Sequence, residues 1–212
     1  MKTMAIILLF AGLSNLYMPQ NDNYVEAMTR NIKTVYTSQS LTELQQAVNA
    51  FDRIAATEKG KWEPYYYAGF GYIMMANIEK LGEKKDQYLD QAAASVKKAK
   101  AIEADNSEVI ALEGFVYMIR LTVDPASRGQ QYSGLALEEF RKALSLNPEN
   151  RRALALLAQV QFGTAQFLGF STDEACASNA AALKRFANST SGAPLAPQWG
   201  KEMAELLKGN CK

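Results

Sequence analysis

Apolar and small residues recur along the chain with the spacing of an α-helix. Ala136, Phe140 and Ala143 lie at i, i+4 and i+7, and the segment 65–72 shows the same spacing. This spacing places the side chains on one face of a helix. No segment combines sustained alternation of apolar and polar residues with β-branched residues, which is the pattern of a strand. The pattern therefore predicts an all-α protein.

These helical faces repeat along the sequence. Gly69 recurs as Gly114 after 45 residues and as Ala158 after a further 44. Matches at many positions that share one offset indicate an internal repeat. The same two intervals relate further sets of residues, namely Ala47, Ala92 and Ala136, then Phe51, Val96 and Phe140, and then Ile54, Ala99 and Ala143.

Two segments carry the repeat most clearly. They are residues 136–150, ALEEFRKALSLNPEN, and residues 64–72, PYYYAGFGY. These residues resemble the tetratricopeptide repeat family, whose units are helix–turn–helix pairs. The resemblance covers about residues 24 to 209 and implies a solenoid of about four helix pairs with a C-terminal capping helix. The expected units are about 24–58, 62–105, 107–147 and 150–193, and the expected cap is about 196–209.

The period of this chain is longer than that of the family. Units of 44 to 46 residues exceed the usual 34 by about ten. The extra residues fall between the first and second helices of units two, three and four, so either the helices are long or loops project from one edge. In unit three, Asp124-Pro125 and Ser127-Arg128-Gly129 favour a loop.

Residues 1–20 are expected to be a secretory signal peptide. Lys2 supplies a positive charge, residues 4–10 (MAIILLF) form an apolar run, and small residues follow at 11–14. The run is too short to span a bilayer comfortably, since about 20 apolar residues are needed. We therefore expect a periplasmic or secreted repeat domain, residues 21–212, without a stable membrane span. The alternative is an apolar helix that packs on the domain or stays as an anchor.

The two cysteines, Cys176 and Cys211, both lie near the C-terminus. In the expected array, Cys176 begins the second helix of unit four and Cys211 follows the capping helix. Consecutive helices run antiparallel, so the two residues come to the same end of the molecule. Because an oxidising compartment allows disulfides to persist, we predict a bond between them that pins the cap. Two free thiols are the alternative.

The family resemblance also implies a binding surface. First-helix residues of tetratricopeptide proteins line a concave face, and the repeat register transfers those positions to this chain. The side chains could form a groove that a ligand enters, or they could be plain core or be covered by the chain itself, because methionine and aromatic residues suit both roles. The residues expected there are Tyr66, Phe70, Ile73, Met74, Phe115, Met118, Ile119 and Phe162.

Composition removes several classes of function. The chain has no histidine, which excludes Ser-His-Asp and Cys-His catalytic sites and histidine-ligated zinc. Its net charge is +1, with 23 basic and 22 acidic residues, so the basic surface of a nucleic-acid-binding protein is not expected. No residue pattern predicts a metal site or a cofactor.

We therefore expect a non-catalytic scaffold or adaptor of the cell envelope that binds a protein or a peptide. A structural homo-oligomer, for example a homodimer that uses the apolar surface, is a second hypothesis. An envelope enzyme is a third, and it would need two carboxylates that face one cavity about 5–10 Å apart. The sequence recommends no such pair.

Overall fold

The computed structural model describes residues 22–189 and 192–211. The predicted signal peptide lies outside these residues. Within them the chain forms nine α-helices and no strand. In chain order the helices are α1 (Asp22–Thr37), α2 (Leu41–Thr57), α3 (Glu63–Ile78), α4 (Gly82–Ile102), α5 (Ser107–Val123), α6 (Pro125–Leu146), α7 (Arg151–Leu168), α8 (Asp173–Asn188) and α9 (Lys201–Lys208).

The helices pack as four consecutive pairs followed by a single C-terminal helix. Helices α1 to α8 form the pairs α1–α2, α3–α4, α5–α6 and α7–α8, and α9 packs on both helices of the last pair. The first helices of neighbouring pairs also contact one another. This arrangement confirms the predicted all-α solenoid of helix pairs with a terminal helix.

Small residues at the repeat positions allow close helix packing. Gly114 of α5 faces the ring of Phe140 on α6, and a Cβ at this glycine would lie 2.5 Å from that ring. Gly69 of α3 faces Val96 of α4 in the same way, since a Cβ at this glycine would lie 3.2 Å from a methyl group of that valine. The repeated glycine therefore brings the second helix of each of these pairs against the first.

The extra residues of units two and three lengthen the second helix of each pair. Helices α4 and α6 contain 21 and 22 residues, and the loop expected in unit three is absent from this described stretch. That expectation was wrong because Asp124 caps α6, accepting a hydrogen bond from the backbone N–H of Ser127 at 3.2 Å. Pro125 takes the first helical position, which has no intrahelical N–H bond to lose.

The C-terminal helix begins later than predicted. Residues 197–200 form no regular secondary structure, Gly200 adopts a left-handed backbone with a φ of +102°, and α9 starts only at Lys201. The predicted disulfide is confirmed, since Cys176 and Cys211 are bonded and their Cα atoms lie 5.6 Å apart. The bond fixes the end of α9 to the start of α8. Among the described residues no helix is long and apolar enough to cross a membrane.

Candidate functional site

The apolar stripe on the first helices is mostly buried. Tyr66 and Ile73 are fully buried, and Met74 and Met118 are half-buried. The stripe is therefore largely covered, as the second of the two open interpretations supposed. The other four predicted residues, Phe70, Phe115, Ile119 and Phe162, keep at most 8% of their surface exposed.

A segment of the same chain covers part of this stripe. Residues 195–199, called here the C-terminal segment, lie across α3 and α5. The indole of Trp199 lies between two rings, with its centroid 5.0 Å from that of Phe70 and 5.3 Å from that of Phe115. The interplanar angle to Phe115 is 21°, which is a stacked geometry. An aromatic side chain of the protein itself thus fills an aromatic slot between two first helices.

Buried tyrosines of α3 hold the C-terminal segment through hydrogen bonds. Trp199 Nε1 donates to the Tyr66 hydroxyl at 3.0 Å, and the Tyr67 hydroxyl donates to the carbonyl oxygen of Leu195 at 2.8 Å. Burial raises the pKa of both tyrosines above the ordinary value. Both phenols therefore keep their protons, which the Tyr67 bond requires.

Two further contacts fix the segment from other helices. The Arg152 guanidinium at the start of α7 donates to the carbonyl oxygen of Pro197 at 2.8 Å and forms an ion pair with Glu108. Burial has the largest single effect and lowers the pKa of Arg152, but the hydrogen bond to Glu108 and the charge of that carboxylate, together with the nearby tyrosines, raise the pKa overall. The backbone N–H of Gln198 donates to the Tyr36 hydroxyl at 3.1 Å. The segment is thus held largely through its main chain, by its carbonyl oxygens at Leu195 and Pro197 and its N–H at Gln198.

One helical turn beyond the slot, the stripe is less covered. Met74, Ile119 and Gly163 share one position of the repeat register, at intervals of 45 and 44 residues. Gly163 is exposed, and a Cβ there would meet no atom within 4 Å. We call Tyr66, Phe70 and Phe115 the filled half of the groove, and Met74, Met118, Ile119 and Gly163 the open half. Gly163 was not predicted as a site residue, although the register would have found it.

Helix α9 forms an edge beside the open half. Gln159 of α7 donates its side-chain N–H to the carbonyl oxygen of Met203 at 3.0 Å, and the Met203 side chain packs against the main hydrophobic core. Leu206 lies one turn further on the same side of α9 and is 75% exposed. Its exposure adds an apolar edge that the sequence analysis did not anticipate.

Phe162 differs from the other predicted groove residues. It packs against Ala175 of α8, Leu207 of α9 and the disulfide. This side chain therefore lies between the last helix pair and the terminal helix. Close to it in sequence, at the end of α7, three large apolar side chains are exposed, namely Phe167, Leu168 and Phe170.

The fold and the groove can be compared with known proteins. The solved structure of the HusA haemophore from Porphyromonas gingivalis is 31% identical to this chain, with a TM-score of 0.79. The match covers 92% of this chain and 96% of that one. The chain belongs to the HusA haemophore family. No family model matches this HusA family member, so its likeness to tetratricopeptide proteins remains one of architecture. No curated protein matches it.

The carboxylates described below for this HusA family member do not face one common cavity. Glu113, which lies on an apolar helix face, forms an ion pair with Lys100 at 2.5 Å. Glu139 lies near this pair, and burial, followed by the charge of Glu113, raises its pKa. Neither glutamate lines the cavity of about 490 Å³ at the start of α7, whose one acidic residue is Glu149. Among the described residues, no three potential metal ligands cluster.

Proposed function

We propose that this protein binds haem in the open half of the groove and acts as a non-catalytic binding protein of the cell envelope. The observation that carries the proposal is the 31% identity to a haemophore over nearly the full length of both chains. Similarity of fold alone would not support a ligand, so the proposal also depends on what the groove can accommodate.

The open half offers the kind of surface that a porphyrin needs. A porphyrin is a flat and largely apolar macrocycle, and ligand sites for such molecules are lined mainly by apolar side chains. Met74 and Met118 are half-buried, and the flexible methionine side chain can adapt to a flat ligand. Gly163 leaves room above α7 for the edge of the macrocycle.

The macrocycle is expected to supply most of the binding energy. Haem iron is usually held by histidine, cysteine, methionine or tyrosine. This chain has no histidine, and its two cysteines are bonded to each other. Burial raises the pKa of Tyr66 and Tyr67, which disfavours the phenolate that binds iron. Of these ligand types, the open half contains only the thioethers of Met74 and Met118.

Export to the envelope or beyond it is part of the proposal. The Cys176–Cys211 disulfide supports it, because such bonds persist in oxidising compartments. The predicted signal peptide is consistent with the same route. N-terminal sequencing of the protein from the envelope or the medium tests this point, and an intact Met1 on cytoplasmic material would contradict it.

A protein partner is a second candidate function. Phe167, Leu168 and Phe170 expose large apolar side chains side by side in sequence, which is typical of interaction surfaces. A homodimer that uses this surface belongs to the same class of hypothesis. The filled half is a weaker site for a partner peptide, because the C-terminal segment would have to leave it first.

Substitution at Gly163 tests the haem site. We expect Gly163→Gln to weaken hemin binding by at least about tenfold, or about 1.4 kcal/mol, because the new side chain projects into the open half. The measurement is a titration of hemin followed by its visible absorbance.

The matched control is Gly134→Gln. Gly134 lies within α6, is exposed, and likewise has no atom within 4 Å of a Cβ. Both substitutions should stabilise their helices by up to about 1 kcal/mol, so stability does not distinguish them. Equal hemin affinity in the two variants would place the ligand elsewhere, and no saturable hemin binding by the unmodified protein would refute the proposed function.

A further inference from the structure

A cavity at the other end of α7 has a charge pattern that the groove does not explain. It has a volume of about 490 Å³ and is lined by residues of the α6–α7 turn, the start of α7 and the second half of α8. Arg151 on its wall lies 12 residues before Gly163, which corresponds to about 18 Å along the helix. The cavity is therefore separate from the open half.

The lining of this cavity is predominantly cationic. Arg151, Lys184 and Arg185 face one carboxylate, that of Glu149. The charged lining thus carries an excess of two positive charges, while the whole chain has a net charge of only +1. This concentration of positive charge distinguishes the cavity from the mixed surface around it.

Arg151 has no anionic partner. Its guanidinium carbon lies 5.4 Å from the centroid of the Phe186 ring, and the side chain is half-buried. In the described part of the chain it forms no ion pair. Burial, and then the charge of Arg152, lowers the pKa of Arg151. Arg151 thus contacts an aromatic ring, and no carboxylate of the described residues forms an ion pair with it.

The guanidinium of Arg185 has only a weak anionic partner. Its Nε lies 3.4 Å from a carboxylate oxygen of Glu149, whose side chain is 76% exposed. The same Nε is buried and has no hydrogen-bond partner among the described residues. An exposed ion pair of this kind contributes little to stability, so an incoming anion can replace Glu149 without a large loss.

We propose that this cavity binds the phosphate group of a phosphate monoester, with Arg151, Lys184 and Arg185 as its cationic contacts. A phosphate monoester carries about −1.5 to −2 charges at neutral pH, which matches the excess charge of the cavity. Arginine guanidinium groups bind phosphate oxygens through paired hydrogen bonds. The phosphate could belong to a free metabolite or to a lipid headgroup, because both present the same chemistry.

The first experiment is an NMR titration of the full protein with inorganic phosphate, with sodium chloride of matched ionic strength as the reference. We expect saturable shifts in the backbone amides of Lys184, Arg185 and Ser189. Arg151→Gln should raise the dissociation constant about tenfold, as expected for the loss of charge-assisted hydrogen bonds. Lys184→Gln, an exposed position where misfolding is not expected, should raise it several-fold.

Arg53→Gln is the matched control. Arg53 is an exposed arginine of α2, far along the chain from the cavity, and its replacement should leave the phosphate titration unchanged. Chloride shifts equal to those of phosphate, or an Arg151→Gln titration equal to that of Arg53→Gln, would overturn the proposal. Hemin affinity should be the same in Arg151→Gln and in the unmodified protein. The phosphate proposal and the haem proposal are therefore tested independently.

Vesicles distinguish the two sources of phosphate. Flotation with phosphatidylcholine vesicles that contain phosphatidic acid is compared with flotation with phosphatidylcholine alone. Binding only to the acidic vesicles, lost in Lys184→Gln, would assign the cavity to a lipid headgroup. A saturable response to inorganic phosphate without vesicle binding would assign it to a soluble phosphate. No response in either assay would refute the proposal.

Discussion

The two halves of the groove share helices α3 and α5, to which α7 adds Gly163 in the open half, and they differ in what covers them. In the filled half, the stripe is sealed by Trp199, whose indole is 7% exposed between Phe70 and Phe115. In the open half, one turn further on, Met118 is half-buried and Gly163 is exposed with no atom within 4 Å of a Cβ built there. A repeat register thus assigns positions to a face, whereas the chain outside the repeats decides which of them a ligand can reach.

The side chains of each half suit its role. Tyrosine and tryptophan combine a large apolar ring with a polar atom that needs a partner when buried. In the filled half these polar atoms bind the C-terminal segment and fix it in one position. The side chains of methionine and glycine have no polar atom that needs a strong hydrogen-bond partner. The open half can therefore accept a ligand whose contacts vary.

The largest expected effect is the loss of the tryptophan in the filled half. Trp199→Ala should lower the free energy of unfolding by about 3–5 kcal/mol, because it leaves a cavity between the rings of Phe70 and Phe115. Urea denaturation followed by circular dichroism measures the change. Trp62→Ala is the control, because Trp62 is half-buried and should cost less. Equal destabilisation in the two variants would show that the slot contributes nothing beyond ordinary packing.

A smaller effect is expected from the hydroxyl of Tyr67. Tyr67→Phe removes the hydrogen bond to the Leu195 carbonyl and should cost about 1 kcal/mol at neutral pH. Burial raises the native pKa of Tyr67 above its ordinary value of 10.0. The native state therefore holds this proton more tightly than the unfolded chain does, so the associated stability is present below pH 10 and is lost as the pH rises above it.

The dependence of stability on pH above neutrality separates the hydrogen bond of Tyr67 from the ionisation of its hydroxyl. We expect unfolding free energies measured from neutral pH to above pH 10 to fall less steeply for Tyr67→Phe than for the unmodified protein. If the two curves stay parallel, Tyr67 has the same pKa in the folded and unfolded states, and its proposed buried donation to Leu195 is wrong.

The smallest effect on stability is expected at the edge of the open half. Leu206→Ser should change the unfolding free energy by no more than about 0.5 kcal/mol, because the side chain is 75% exposed. The same change should weaken hemin binding several-fold if α9 borders the ligand. Leu146→Ser, at an exposed site on α6, provides the comparison. A large loss of stability in Leu206→Ser would instead make this residue part of the packed core.

The repeat made the architecture predictable from sequence. The recurrence of Gly69 as Gly114 reports a physical requirement, namely the close approach of the second helix, so it could be read without a structure. The disulfide was predictable for a related reason, because antiparallel helices fix which ends meet. Asp124-Pro125 misled the analysis, because the same residues that begin a turn also begin a helix.

The position of the C-terminal segment over the filled half could not be predicted from the sequence in the same way. The C-terminal segment has no counterpart in the repeats, and its contacts to Tyr66 and Tyr67 span 133 and 128 residues. No local pattern encodes a pairing over such a separation. Leu195 lies just before the expected cap and Trp199 lies in its first turn, and the large apolar side chains of these two residues were the available signal that this segment has a docking site.

The position of Trp199 gives the protein an optical readout of its groove. The chain has two tryptophans, and this one lies a single helical turn from Met74 and Ile119 of the open half. A porphyrin absorbs light at the wavelengths where tryptophan emits, so haem bound there would quench the fluorescence of Trp199 by energy transfer. Displacement of the C-terminal segment would instead expose the indole to water and shift its emission to longer wavelength. The two events leave different signatures in one emission spectrum.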